Sequence, residues 1–181
     1  MAKKLKAGVL IISDRAFIGD RKDECGPCLS RWINRCGWVL EARTIVQDSV
    51  RDIEDVLKEW SDNLHLDLVV TSGGTGIGPK DVTPDATVNI VDKEIPGVCE
   101  ELRRTGIRYT PYALLSRQAT GVRGKTLIIN LPGNPKSLTE SFPVLEAVVL
   151  HAIEMIRGGG HHLKQKVTGS HGKLTVKASK K

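Results

Sequence analysis

The stretch Thr71-Ser72-Gly73-Gly74-Thr75-Gly76-Ile77-Gly78-Pro79-Lys80-Asp81 has the composition of an anion cradle. Its glycines let the backbone come close to a ligand, and consecutive exposed amides in such a turn can bind negative oxygens. Ser72 and Thr75 add hydroxyl donors. The spacing is not a Walker loop, because Pro79 separates Gly78 from Lys80, and the dinucleotide fingerprint started at Gly74 reaches Pro79 where its last glycine belongs. Asp81 sharpens the reading. An acid beside a phosphate cradle repels the ligand unless a cation intervenes, and Mg²⁺ bridging carboxylate and phosphate oxygens resolves that conflict. Capping of the next helix is the plainer role for Asp81, but Thr83 stands ready for that position. Asp48 could carry similar chemistry, or simply favour the amino end of its helix.

A second Gly/Pro cluster, Leu131-Pro132-Gly133-Asn134-Pro135-Lys136-Ser137, has the layout of a strand, a tight turn and a helix start. Ser116 and Arg117 precede a hairpin and could reach a ligand, and Arg15, Lys80 and Arg117 are available cations. Cys25-Gly26-Pro27-Cys28 spells the redox sequence of thioredoxin-like proteins, although Glu24 stands where an aromatic residue is usual.

These residues need elements to place them. Apolar runs predict strands over 5–12, 38–46, 66–70 and 126–131, with a shorter one over 118–122 joined to the last through Arg123-Gly124-Lys125 as an antiparallel hairpin. Pro27 opens a helix that runs to Arg35. Ser49 and Asp52 resemble a capping box ahead of a helix whose apolar face is Ile53, Val56, Leu57 and Trp60. Thr83-Pro84 caps a helix over 85–91, another covers 97–105, and Asn134-Pro135 starts a last helix that Pro143 should kink or split. Alternating strands and helices predict a three-layer αβα sandwich with a mostly parallel sheet and an antiparallel hairpin. Ligands bind such sheets outside the carboxyl ends of the strands. That singles out the loops after Ile12, Val46 and Val70, which contain Asp14, Asp48 and Asp81.

The chain has 181 residues and a formal net charge of +6. Six lysines and no acid lie in 158–181, which leaves 21 basic residues against 21 acidic ones in the rest. The body is neutral, the basic end reads as a solvated, flexible tail, and no specific nucleic-acid surface is implied. No apolar run approaches the roughly 20 residues of a membrane helix, and Ala7–Ile12 is too short for a signal-peptide core. The expectation is a cytoplasmic protein with its four cysteines as thiols.

Gly73-Gly74-Thr75-Gly76 followed by Asp81-Val82-Thr83-Pro84-Asp85-Ala86-Thr87 closely resembles the signature of the MogA/MoaB molybdopterin-binding family, which includes the G domains of gephyrin and of plant molybdenum-cofactor proteins. Ser13-Asp14-Arg15-Ala16, Gly26-Pro27, Pro96-Gly97, Leu115-Ser116-Arg117 and Leu131-Pro132-Gly133-Asn134-Pro135 extend the resemblance, in order, across roughly residues 7–157. It implies one domain over 1–157, commonly a homotrimer, with 158–181 outside it. It implies adenylylation of molybdopterin by ATP with Mg²⁺, Asp48 and Asp81 as essential aspartates, and the molybdenum-inserting protein as a partner. It implies ligand contacts from Ser13, Asp14 and Arg15, from Ser72 to Gly76, from Lys80 and Thr83, from Ser116 (near the pterin) and Arg117, and from Pro132, Gly133, Asn134 and Ser137. Lys80 stands where arginine is usual, Cys25 where serine is usual, and Arg21 where tyrosine is usual. Two rival readings remain: a molybdopterin-binding or scaffold module without adenylylation, and a thiol oxidoreductase working through Cys25 and Cys28.

Overall fold

In the computed structural model, residues 4–159 are described. Strands β1 (Lys6–Ile12), β2 (Val39–Val46), β3 (Leu68–Ser72), β4 (Lys93–Glu94), β5 (Thr120–Arg123) and β6 (Thr126–Leu131) form one sheet in the order β2-β1-β3-β6-β5-β4. The first four in that order run parallel, and β5 pairs antiparallel with both β6 and β4. The expected sandwich with a mostly parallel sheet is therefore the observed fold.

Side-chain alternation divides the core between the two faces of the sheet. Val9 and Ile11 of β1, Leu68 and Val70 of β3, and Leu127, Ile129 and Leu131 of β6 pack with helices α2 (Cys25–Arg35), α5 (Pro96–Ile107) and α6 (Pro135–Ile156). Leu10, Ile12, Val69 and Ile128 face the other way, onto α3 (Val50–Lys58) and α4 (Thr83–Ile90). Trp32 of α2 is 1% exposed and stacks on Phe142 of α6 at 5.0 Å between ring centroids. On the opposite face α3 passes into a π-helical turn, Glu59–Asn63, which carries Trp60 onto the sheet. Gly8 makes room there: a Cβ on it would stand 2.6 Å from the indole.

Several local expectations are corrected. The helix at Pro27 begins at Cys25, since Asp23 accepts the Gly26 amide proton at 2.8 Å and supplies an earlier start. Pro143 does not split α6, which runs unbroken from Pro135 to Ile156. Pro143 is exposed, so water can serve the carbonyl it leaves free, while Leu138, Phe142, Leu145, Val149 and Ile153 on the opposite side hold both halves to one core. Ser49 caps α3 by accepting from the Asp52 amide at 3.4 Å. Helix α1 (Asp14–Phe17), strand β4 and the 3₁₀ turn Pro111–Leu115 were not foreseen. The basic tail lies outside the described residues, except for Gly158 and Gly159; the φ of 82° at Gly158 ends the last helix in the way glycine allows.

Candidate active site

The parallel register brings the carboxyl ends of β1, β2, β3 and β6 level, pairing Ile12 with Val46, Ile11 with Ser72 and Ser72 with Leu131. Four loops thus meet at one pole. Three are the aspartate-bearing loops read from the sequence, and the fourth is the Pro132 cluster.

The glycine loop is held from outside and left open inside. The Gly73 amide donates to Leu131 O at 3.2 Å, and Gly74 O accepts from the Thr83 amide at 3.1 Å. Among the described residues, the amides of Gly74, Thr75, Gly76 and Ile77 have no protein acceptor. Gly73 has φ 112° and Gly74 has φ 58°, both left-handed, and the loop passes so close to β1 that a Cβ on Gly73 would collide with Ile12 O. Gly133 of the neighbouring loop comes so near that its own Cβ would stand 3.2 Å from Gly73 Cα.

Thr83 is not the cap of α4; that position falls to Val82, which makes no side-chain bond. Thr83 is instead fully buried, and its hydroxyl donates to Gly73 O at 2.9 Å, fastening the loop to the helix. Ser72 is similarly buried and donates to Pro132 O at 2.8 Å. Both hydroxyl protons are therefore spent on holding the glycine loop, Thr83 tying it to α4 and Ser72 tying it to the Pro132 loop.

Arg117 also turns out to be a fastener. Its guanidinium donates to Gly76 O at 3.0 Å, to Asp81 O at 2.6 Å and to both oxygens of Asp85, while its amide donates to Thr75 O at 2.8 Å. The Arg117 bond holds the Asp85 carboxyl below the usual carboxylate range. A depressed folded value means this pairing is intact at neutral pH and is lost as pH falls through that value. Arg117→Lys keeps the charge but cannot reproduce the fork. It should cost about 1 kcal/mol, or roughly 3 °C in thermal midpoint, measured by calorimetry at pH 7; an unchanged midpoint would show that the clasp contributes nothing.

The two key aspartates share one feature. Asp48 and Asp14 exchange bonds: the Asp14 amide donates to Asp48 Oδ2 at 2.8 Å, and the Asp48 amide donates to Asp14 Oδ1 at 3.0 Å. Asp48 Oδ1 is left facing Gly74, 3.4 Å from where its Cβ would be. Asp81 accepts the Gly78 amide through Oδ2 at 2.8 Å, and among the described residues nothing donates to its Oδ1. Each carboxylate is thus fixed by one oxygen and open at the other, Asp48 at the Gly74 end of the loop and Asp81 at the Gly76–Gly78 end. Lys80 pairs with Asp14, and this hydrogen bond is the largest influence lowering the Asp14 carboxyl and raising the Lys80 ammonium. Ser13 caps α1, accepting from the Ala16 amide at 3.2 Å, and Arg15 pairs with Asp20 in solvent.

Two cavities flank the loop. One of about 350 Å³ is bordered by Thr75, Gly76 and Ile77, and the other, of about 190 Å³, by Gly73, Gly74 and Asp48. The Pro132 loop divides in the same way: Pro132, Asn134 and Ser137 face the larger space, Gly133 and Pro135 the smaller. Asn134 caps α6 through the Ser137 amide at 2.9 Å, so the positive end of that helix opens beside the larger cavity. Ser116 lies on its wall, together with Leu102, Arg103, Tyr112 and Gln118 among others. Leu102 and Arg103 on α5 and Tyr112 on the 3₁₀ turn were missed in the sequence, because no cluster of reactive residues surrounds them, and Gln118 was read only as the start of a strand. Arg21 and Lys22, followed by the acids Asp23 and Glu24, give the smaller cavity a charged lining of both signs.

Cys25 borders the smaller cavity but is buried, and burial pushes its thiol up; all four cysteines are free thiols. A redox nucleophile requires the opposite shift. Cys25 should react with iodoacetamide at pH 7 more slowly than a free thiol does, as followed by mass spectrometry. Faster reaction would restore the oxidoreductase reading.

Among the described residues no helix is long and apolar enough to cross a membrane. Comparison with known proteins agrees with the geometry. Residues 8–152 match the family described as a probable molybdopterin binding domain. The molybdopterin adenylyltransferase of Escherichia coli K12 is 41% identical over 156 residues, covering 82% of this chain and 80% of that one. The enzyme of the same name from Haemophilus influenzae is 41% identical over 144 residues, covering 78% and 73%. Among solved structures, the molybdopterin biosynthesis enzyme MoaB of Thermus thermophilus superposes with a TM-score of 0.80 at 41% identity, covering 85% of this chain and 97% of that one. With its signature loop set between two cavities and its sequence matched from Gly8 to Ala152, the chain belongs to the molybdopterin-binding domain family of molybdenum cofactor biosynthesis.

Proposed function

We propose that this protein is a molybdopterin adenylyltransferase: the terminal phosphate of molybdopterin attacks the α-phosphorus of ATP, a new phosphorus–oxygen bond forms, and pyrophosphate leaves. The observation that carries this reading is the glycine loop, whose free amides stand between two cavities rather than at the mouth of one. A reaction joining two phosphorylated molecules needs such a shared cradle. Transfer of this kind depends on positioning and charge stabilisation and needs no covalent nucleophile.

In this reading the larger, mostly uncharged cavity takes the pterin, and the smaller one, bordered by Gly73, Gly74 and Asp48 and lined by charges of both signs, takes the nucleotide phosphates. The amides of Gly74 to Ile77 hold oxygens of the reacting phosphates. Thr75 and the amino end of α6 orient the pterin phosphate from the other side, and Lys80, tethered by Asp14, adds a positive charge near Asp48.

Mg²⁺ fits the residues present. Among the described residues no group of three or more acidic, histidine or cysteine side chains could cage a metal, but Asp48 and Asp81 each keep one oxygen open. Mg²⁺ is usually held by one or two carboxylates with substrate phosphates and water completing the shell. Bound there, it would offset the charge of the phosphates beside the aspartates.

The exposed apolar side chains Ile107, Tyr109, Tyr112, Leu114 and Leu115 crowd one short stretch beside the larger cavity, and they support the homotrimer as the state that covers them. The cytoplasm, and handover of product to the molybdenum-inserting protein, complete the proposal. The test is pyrophosphate release by the purified protein. It should appear only when ATP, Mg²⁺ and molybdopterin are all present; tight pterin binding with no ATP-dependent product would favour the scaffold reading instead.

A further inference from the structure

A short polar chain, Ser116–Gln118–Asn130, lies along the larger cavity. Gln118 is only 6% exposed, and its Nε2 donates to the main-chain oxygen of Asn130 at 3.0 Å. A carbonyl oxygen can only accept, so this contact fixes which way round the Gln118 amide sits. Its Oε1 must then face Ser116, and the Ser116 hydroxyl lies 2.9 Å away. An amide oxygen is also purely an acceptor, so the Ser116 hydrogen is committed to it. The Gln118 main-chain N–H approaches Ser116 Oγ at 3.4 Å and draws on one lone pair. Arg103 reinforces the arrangement from behind, donating to Ser116 O at 3.2 Å and to Gln118 O at 3.4 Å. Asn130 cannot yield: it is fully buried, and its side chain bonds Thr71 at 3.1 Å, Thr87 at 2.9 Å and the Ala119 amide at 3.2 Å.

A serine hydroxyl ordinarily offers a ligand either a donor or an acceptor. Here that choice is already made. What Ser116 can present to the cavity is its remaining lone pair. We infer that Gln118 is a positioning residue that fixes Ser116 as an acceptor, so that this corner of the cavity selects a ring N–H donor and rejects acceptor-only groups such as carbonyl or phosphate oxygens. This rests on assigning the pterin to the larger cavity. The amino and ring N–H groups of a pterin supply the donor, and its phosphate end is turned away from this corner toward the free amides of the glycine loop.

The test is a double-mutant cycle on the full chain, with initial rates measured against molybdopterin and ATP separately. Ser116→Ala should raise KM for molybdopterin about tenfold, the size of one lost hydrogen bond to a buried partner. Gln118→Met, similar in length but unable to accept, should raise it about fivefold. The double variant should be no worse than Ser116→Ala, because the two residues act as one unit. KM for ATP should move less than twofold in each, and thermal melts would report any loss of folding. If Gln118→Met does not fold, the pair Ser116→Thr and Ser116→Val replaces it: Thr keeps the hydroxyl bonded to Gln118 and should bind like the native protein, and Val should not. Additive effects, equal effects on both substrates, or Val equal to Thr would overturn the inference. Absence of molybdopterin-dependent turnover in the native protein would instead overturn the functional reading beneath it.

Discussion

Asp48→Asn is expected to lower adenylylation by about 10²–10³-fold with no loss of folding, the scale seen when one preorganised charge-stabilising group is removed. The substitution is nearly isosteric. Its amide oxygen can still accept the Asp14 N–H that Asp48 Oδ2 accepts now at 2.8 Å, and the Asp48 amide keeps its bond to Asp14. The scaffold at this pole is therefore preserved. What disappears is the negative charge on the oxygen facing Gly74, which is the group available to hold a divalent ion against the phosphates. The loss should appear in kcat, with molybdopterin binding nearly unchanged because that ligand is placed on the other side of the loop. Asp81→Asn should behave alike, since an amide oxygen can accept the Gly78 N–H. Full activity in either variant would remove the role assigned to that carboxylate.

Gly73→Ala is expected to destabilise the protein by about 3 kcal/mol or more and to abolish activity in whatever fraction folds. Two penalties coincide there. A φ of 112° is a backbone conformation that residues with a side chain rarely adopt, and the added methyl group would run into the carbonyl oxygen of Ile12, main chain that cannot swing aside. Moving Ile12 would disturb β1 at the point where it pairs with β2 and leads into Ser13, which caps α1. Gly124 is the matched control. Its φ is 54°, but nothing lies within 4 Å of a Cβ added to it, so Gly124→Ala should cost only about 1 kcal/mol. Urea unfolding of both variants separates steric collision from backbone strain, and equal destabilisation would show that the tight passage over β1 is unimportant.

The pole where ligands should bind was legible because strand direction and loop composition are written locally. An apolar run followed by a glycine cluster gives both the strand and the place where it ends, and parallel pairing then gathers Asp14, Asp48 and the glycine loop without further information. The roles of individual side chains were less legible, because they depend on which partner is nearest in space. Thr83 looked like a helix cap, yet the crossing of the loop over α4 turns its hydroxyl to Gly73. Arg117 looked like a ligand cation, yet Asp85 and two loop carbonyls lie within its reach. Gln118 looked like the start of a strand, and only the buried oxygen of Asn130 reveals its orientation. The far wall of the larger cavity comes from α5 and the turn behind it, where no repeat of apolar residues or cluster of reactive ones announces a site. Pro143 misled for the opposite reason: its local rule is strong, but tertiary packing holds α6 together across it.

The most direct measurement is a crystal structure of the protein with a non-hydrolysable ATP analogue and Mg²⁺. Phosphate oxygens should lie about 3 Å from the amide nitrogens of the Gly74–Ile77 segment, with the metal between them and the open oxygen of Asp48 or Asp81. A nucleotide bound away from that loop, with those four amides still without an acceptor, would contradict the account.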